Sequence, residues 1–255
     1  MSVQPAAQRR QTRRRPEGAG AVVRVWVVRE DAGVTAADAQ AWLSPQERSR
    51  AEGLAAKEDR WTFSVSRALQ RTLGARYLGV PGDQVEISRA CAHCPHGGHG
   101  KPHFPAAPGL DYSVSHTQGV IVLAASTGTR VGVDAESGSR AIDPAGLMRL
   151  LASEPERRAL SFAPEPDERA LLRLWARKEA VVKLTGHGLP RVPFTALSVD
   201  GPVARLDAPP AGWPHGALHL TDLPLTRGPV AALATHRQRP KVTVTELTRV
   251  ADLTL

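Results

Sequence analysis

The stretch LWARKEAVVKLTGHGL, residues 174–189, decides how the chain is read. Leu174, Trp175, Ala180, Val181 and Leu184 recur at the spacing of a helix with one broad buried face, and the run stops at Gly186. Glu179 and Lys183 stand four residues apart, so they share a face about one turn apart, and Trp175 lies a turn before Glu179 in the same stripe. Fully exposed, such a pair stabilises a helix by only about 0.2–0.5 kcal/mol. Next to a half-buried aromatic, an acid held between Lys178 and Lys183 is set apart from ordinary solvated charge.

Working outward, the helix over 167–185 is preceded by helical sequence over 144–160, with the Pro-rich FAPEPDE (162–168) between them. Before these come two β-branched runs, GVIVLAAS (119–126) and RVGVDAE (130–136), joined by the turn TGT and read as a hairpin. AVVRVWVV (21–28) is a strand. Ser44 and Pro45 are an N-cap and a first-turn proline, and a second helix is expected from Lys57 to Tyr77, before Gly79. Along that helix Trp61, Val65, Ala68, Leu69 and Leu73 form the buried seam, with Arg60, Arg67 and Arg71 off it. After the central helix, FTALSVDG, VARLDAP, ALHLTDLP and PVAALATH are short strands divided by Pro and Gly turns. Helix pairs beside antiparallel strands in both halves make the fold class α/β in the α+β sense, with a break expected near residue 133. The division is then a basic arm over 1–20, an N-terminal subdomain over 21–133 and a C-terminal subdomain over 134–255.

The chain has 255 residues, 42% hydrophobic and 23% charged, enough for one large core or two smaller ones and unlike a disordered chain. The arm holds five arginines against one acid, which is half of the +8 net charge. It lacks apolar periodicity and reads as a solvated segment, with a nucleic-acid-binding arm as the competing reading. The strand-like, arginine-interrupted AVVRVWVV does not suit the apolar core of an export signal. No apolar run approaches the roughly 20 residues of a membrane span, and two cysteines make no disulfide framework, so the cytoplasm is expected.

Those cysteines cluster in CAHCPHGGHG (91–100), where Cys91, Cys94, His96 and His99 are all zinc-ligand types. The histidines follow too closely for a zinc finger, and Gly97, Gly98 and Gly100 favour a flexible surface loop without stoichiometric zinc. A zinc-stabilised interaction protein stands as a further alternative.

In VGVDAES (131–137), Asp134 and Glu136 project to one side of a strand, where two carboxylates repel unless a cation lies between them. Adding Glu179 and the lysine after it makes a phosphoryl-transfer site the natural reading. HGKPHF (99–104) supplies Lys101 before Pro102, and DYSVSHTQG (111–119) supplies Ser115, His116 and Thr117 at a strand end. Together these stretches suit a polyphosphate ligand.

The order GKP, SHT, VDAE and WARKEAVVKLTGHGL resembles the Sfp-type 4′-phosphopantetheinyl transferases, as do LSPQERSRAEG and DRWTFSVSRALQR nearer the start. The resemblance spans roughly residues 40–200. It implies a pseudodimer of two similar subdomains, each a small antiparallel sheet with packed helices and the site at their junction. It also implies transfer of the phosphopantetheine arm of coenzyme A to a serine of an apo acyl or peptidyl carrier protein, with Mg²⁺, releasing adenosine 3′,5′-bisphosphate. In that likeness Asp134, Glu136 and Glu179 hold Mg²⁺. Arg67, Lys101, Pro102, Ser115, His116, Lys178 and Lys183 bind coenzyme A, and Glu179, Lys183 and His116 serve catalysis. A monomer with no membrane or nucleic-acid partner is expected. Ala135 stands where the family has a larger aliphatic residue, and Thr117 where it has a second serine.

Overall fold

Strand β1 (Val22–Arg29) is the centre of the N-terminal half. β3 (Val120–Ser126) pairs with it antiparallel and β2 (Asp111–Thr117) pairs with β3. A second sheet runs β4-β8-β7-β6-β5, all antiparallel, from β4 (Val131–Glu136), β5 (Leu197–Ser198), β6 (Val203–Leu206), β7 (Leu218–Asp222) and β8 (Val230–His236). β9 (Lys241–Leu247) then returns to lie parallel to β1, so the first sheet is ordered β2-β3-β1-β9. The computed structural model describes residues 20–91, 94, 97–138, 143–161, 167–237 and 239–255; residues 1–19 of the basic arm, and His96, lie outside them.

Helices α1 (Ala36–Ala39), α2 (Pro45–Glu52) and α3 (Lys57–Leu78) belong to the first half, and α4 (Pro144–Leu151), α5 (Glu154–Ser161) and α6 (Glu168–Thr185) to the second. α2 begins as its sequence directs, with the Ser44 hydroxyl accepting from the Glu47 N–H and the Glu47 carboxylate accepting from the Ser44 N–H. α3 buries Trp61, Val65, Ala68, Leu69 and Leu73 against Trp26 and Val28 of β1 and Ile121 and Leu123 of β3. α6 buries Leu171, Leu174, Val181 and Leu184 against the second sheet. The other faces of the two sheets meet each other: Val23, Val25 and Val27 of β1 and Val122 and Ala124 of β3 join Val131, Val133 and Ala135 of β4 and Leu233 of β8 in a third core. The layers are therefore helix, sheet, sheet, helix. No helix among the described residues is long and apolar enough to cross a membrane.

Three expectations change. TGT does not close a hairpin: β3 stays in the first sheet while β4 pairs with β8 in the second, so the turn carries the chain between sheets. A break near 133 would cut β4, whereas the crossing lies just before it, and β9 then returns to the first half. The helical sequence over 144–160 forms two helices, because Glu156 turns back to accept from the Ser153 N–H and starts α5 afresh.

The two sheets are joined along their edges by side chains. From β2, the Asp111 carboxylate accepts from the Val131 N–H at 2.8 Å, the Ser113 hydroxyl from Val133 at 3.1 Å and the Ser115 hydroxyl from Ala135 at 3.4 Å. Thr117 and Ser137 complete the series through their hydroxyls at 2.9 Å. β2 and β4 are edge strands of different sheets, and these odd-numbered side chains satisfy N–H groups that a neighbouring strand would otherwise take.

Candidate active site

The site is built where α6 lies on β4. At Gly132 a methyl group would meet the Ala180 carbonyl oxygen at 2.0 Å, so only glycine admits the helix this close. Alternation along the strand sends Asp134 and Glu136 to the side of Gly132. The helix brings Glu179 and Lys183 over them and ends at Gly186, whose φ of 75° is the left-handed cap its sequence promised.

Asp134 is 2% exposed. Its Oδ1 accepts from the Ser115 hydroxyl at 2.8 Å and from Lys183 Nζ at 2.5 Å, and Lys183 also donates to the Ser115 Oγ at 2.9 Å. Oδ2 is buried with no hydrogen-bond partner among the described residues. Burial pushes the Asp134 carboxyl above the ordinary carboxylate range, and the Lys183 ammonium opposes it. Glu179 is half-buried, accepts no hydrogen bond among the described residues, and is also pushed up, by burial first and by the Asp134 charge second. Two acids with unsatisfied oxygens and pKa values raised chiefly by burial fit a divalent cation, which wants hard oxygen donors and rewards their ionisation. The expected pairing of Lys183 with Glu179 along the helix gives way to its bond across to Asp134.

Glu179 and Lys183 line a cleft of about 460 Å³ between the subdomains, together with Arg89, Lys101, His187 and Arg191. Pro102 lines it too. Glu136 is one rung along from Asp134 but opens onto a neighbouring cleft with Ser137 and Glu168, and the three acids are not gathered within 4.8 Å of one another. Lys101 reaches the cleft by its stem, while its ammonium bonds the Asp111 carboxylate and, at 2.7 Å, the Val131 carbonyl; burial lowers its pKa. It therefore buttresses the sheet junction. His116 is exposed on the opposite side of β2 from Ser115 and does not line the cleft; desolvation first and the Lys183 charge second lower its pKa, which favours the neutral imidazole. Arg67 does not line the cleft: its Nε lies 3.4 Å from Glu47 and its Nη1 is buried without a partner among the described residues, close enough to Arg89 to feel its charge.

Lys178 departs most from expectation. Its side chain is fully buried on the far side of α6, where Nζ donates to Glu156 at 2.6 Å, to the Phe194 carbonyl at 2.8 Å and to the Leu197 carbonyl. Adjacent helix positions differ by about 100°, so Lys178 cannot share the cleft with Glu179. It is a core residue and binds nothing in the cleft. Conversely, Arg89, His187 and Arg191 line the cleft without having been anticipated, although the GHGL after the helix signals that His187 follows a tight cap. Nearby, Cys91, Cys94 and His99 come together, with Cys94 Sγ 3.1 Å from His99 Nε2, where sequence favoured a flexible loop.

Comparison with known proteins agrees with this geometry. The family model described as 4′-phosphopantetheinyl transferase superfamily matches residues 130–216, and the one described as 4′-phosphopantetheinyl transferase, N-terminal, matches residues 34–128. The two matches meet at the turn between the sheets. The chain is 29% identical over 180 residues to 4′-phosphopantetheinyl transferase HetI of Nostoc sp., covering 68% of this chain and 73% of that protein. It is 27% identical over 165 residues to a 4′-phosphopantetheinyl transferase of Bacillus subtilis (62% and 66%) and 36% identical over 107 residues to 4′-phosphopantetheinyl transferase psf-1 of Bacillus pumilus (41% and 45%).

Proposed function

The chain belongs to the 4′-phosphopantetheinyl transferase superfamily, and from that premise we propose that it is an Sfp-type enzyme acting on coenzyme A and an apo acyl or peptidyl carrier protein. The observation that carries the reading is the buried Asp134, with one oxygen on Ser115 and Lys183 and the other without a protein donor, beside the unbonded Glu179. Asp134 and Glu179 would hold Mg²⁺, which when bound neutralises pyrophosphate charge and raises the electrophilicity of phosphorus, and Glu136 would join them by turning from the neighbouring cleft.

In the reaction the carrier serine oxygen bonds to the β-phosphorus of coenzyme A as the bond from that phosphorus to the bridging oxygen breaks. The phosphopantetheine arm stays on the serine, and adenosine 3′,5′-bisphosphate leaves with the bridging oxygen. Glu179 would take the hydroxyl proton, with burial raising its basicity and a bound cation lowering it. Lys183 supplies positive charge where the leaving phosphate gains negative charge. His116, neutral at physiological pH, hydrogen-bonds a phosphate oxygen. Arg89 lies in the cleft, and the unpartnered guanidinium nitrogen of Arg67 lies in its neighbourhood; together they suit the nucleotide's 3′-phosphate. Lys101 and Pro102 hold the floor of the cleft in place. The protein works as a monomer in the cytoplasm.

The test incubates the full chain with coenzyme A, Mg²⁺ and a panel of apo acyl and peptidyl carrier proteins and weighs the carriers. One phosphopantetheine arm per carrier is expected, and no gain on any of them defeats the reading.

A further inference from the structure

We propose that Cys91, Cys94 and His99 bind a zinc ion at the rim of the cleft, a site separate from the acids on β4 and α6. Two thiols and an imidazole each offer a ligand atom, and all these atoms lie within 4.8 Å of one another. A tetrahedral zinc with bonds of about 2.3 Å to sulfur and about 2.0–2.1 Å to nitrogen holds such atoms about 3.5 Å apart, so this cluster needs little adjustment to receive it. Thiolates are soft ligands and select zinc over magnesium, which belongs with the carboxylates.

The backbone is shaped for the same cluster. The Ser88 and His103 peptides exchange bonds at 2.9 and 3.0 Å, the Gly100 N–H donates to the Arg89 carbonyl at 2.9 Å, and the Cys91 N–H donates to the Gly97 carbonyl at 3.1 Å. These bonds fold Cys91 back over His99. At Gly97 a methyl group would meet His99 Nε2 at 2.6 Å and Cys94 Sγ at 3.3 Å, so the glycine leaves room for the two ligand atoms to converge. The ligands are partly or fully exposed, so an ion reaches them from solvent. The fourth position falls to water or another donor.

The site also has a consequence for the cleft. Arg89, just before the metal loop, lines it, and Lys101, just after the loop, is held at the sheet junction, so the ion ties the cationic Arg89 to that fixed point. Losing zinc is therefore expected to raise the KM for coenzyme A several-fold and leave kcat nearly unchanged. This second readout rests on the transfer reading; metal content does not, so the two can fail independently.

The experiment expresses the full chain in zinc-supplemented medium, purifies it without chelators and measures metal by elemental analysis. One zinc per chain is expected, falling to background in Cys91→Ser, Cys94→Ser and His99→Ala. Gly97→Ala should weaken retention during dialysis. Replacing zinc by cobalt in the wild-type protein should produce thiolate-to-cobalt charge-transfer absorption, which decides the matter even if the cysteine variants do not fold. Substoichiometric zinc with no cobalt absorption overturns the proposal, as does a Cys91–Cys94 disulfide in non-reducing mass analysis or full zinc retention by folded variants.

Discussion

Lys178 and Lys183 stand on one helix, and each is bonded to an acid that is nearly inaccessible. Around Lys178 the lysine and Glu156 are 0% and 2% exposed and their hydrogen bonds are closed: Nζ has three acceptors, and Glu156 also receives the Ser153 and Val199 N–H groups. Around Lys183 the lysine is 31% exposed, and among the described residues Asp134 keeps an unpartnered oxygen and a second acid without donors stands close by. The same residue types therefore serve opposite ends. A closed network has nothing left to offer a ligand, whereas an open one is held in readiness for charge that arrives from outside.

The comparison breaks most readily at Lys178. Lys178→Met strands Glu156 as a buried charge and should cost about 3–5 kcal/mol of folding stability, read from denaturant unfolding. The folded fraction should keep its rate; a slower rate per folded molecule would return Lys178 to the cleft. Lys183→Ala should do the reverse. Its turnover at saturating coenzyme A should fall roughly 10²- to 10³-fold, the scale for losing one donor to developing negative charge. Its unfolding midpoint should move less than that of Lys178→Met, since Asp134, whose pKa burial raises, can take up a proton once the ammonium is gone.

A smaller effect sharpens the contrast through pH. Glu179 has a folded pKa raised above its ordinary value, so its ionisation opposes folding: stability present at low pH is lost as pH rises through the unfolded value toward the folded one. Glu179→Gln should thus unfold at higher denaturant than wild type at neutral pH, by up to about 1 kcal/mol. The advantage should shrink as pH is lowered through the folded pKa and vanish below the ordinary carboxylate value, and the variant should also lose transfer. An equal or lower midpoint at neutral pH would mean that Glu179 has an unseen donor. The smallest effect expected is that of removing residues 1–18, which should leave transfer within about tenfold of the intact chain, or ~1.4 kcal/mol in the barrier. A greater loss would bring the arm into the reaction.

Much of this was readable in the sequence because it is local. The β-branched runs, the Ser44–Pro45 start, the α3 seam and the Gly186 stop each rest on nearest neighbours along the chain. The acids on β4 followed from alternation alone. What escaped rests on distant partners. Lys178 is settled by Glu156, Phe194 and Leu197, brought from three other segments, although its helical angle already separated it from Glu179. The alternating KVTVTEL near the chain's end could be read as a strand, but nothing in it says that its neighbour is β1. The CAHCPHGGHG loop looked loose because its glycines were counted as freedom, when Gly97 in fact makes room for a convergence.

The parallel pairing of β9 with β1 also bears on how the protein is made. A ribosome releases β9 long after β1, so the valine-rich strand β1 emerges well before one of its two partners exists. Until then it offers an open edge, and an exposed apolar strand edge is a template for pairing with other chains. The nascent chain therefore depends on chaperone shielding or on rapid capture of β1 by β3, and a late pause in translation would lengthen the interval in which it is prone to aggregate.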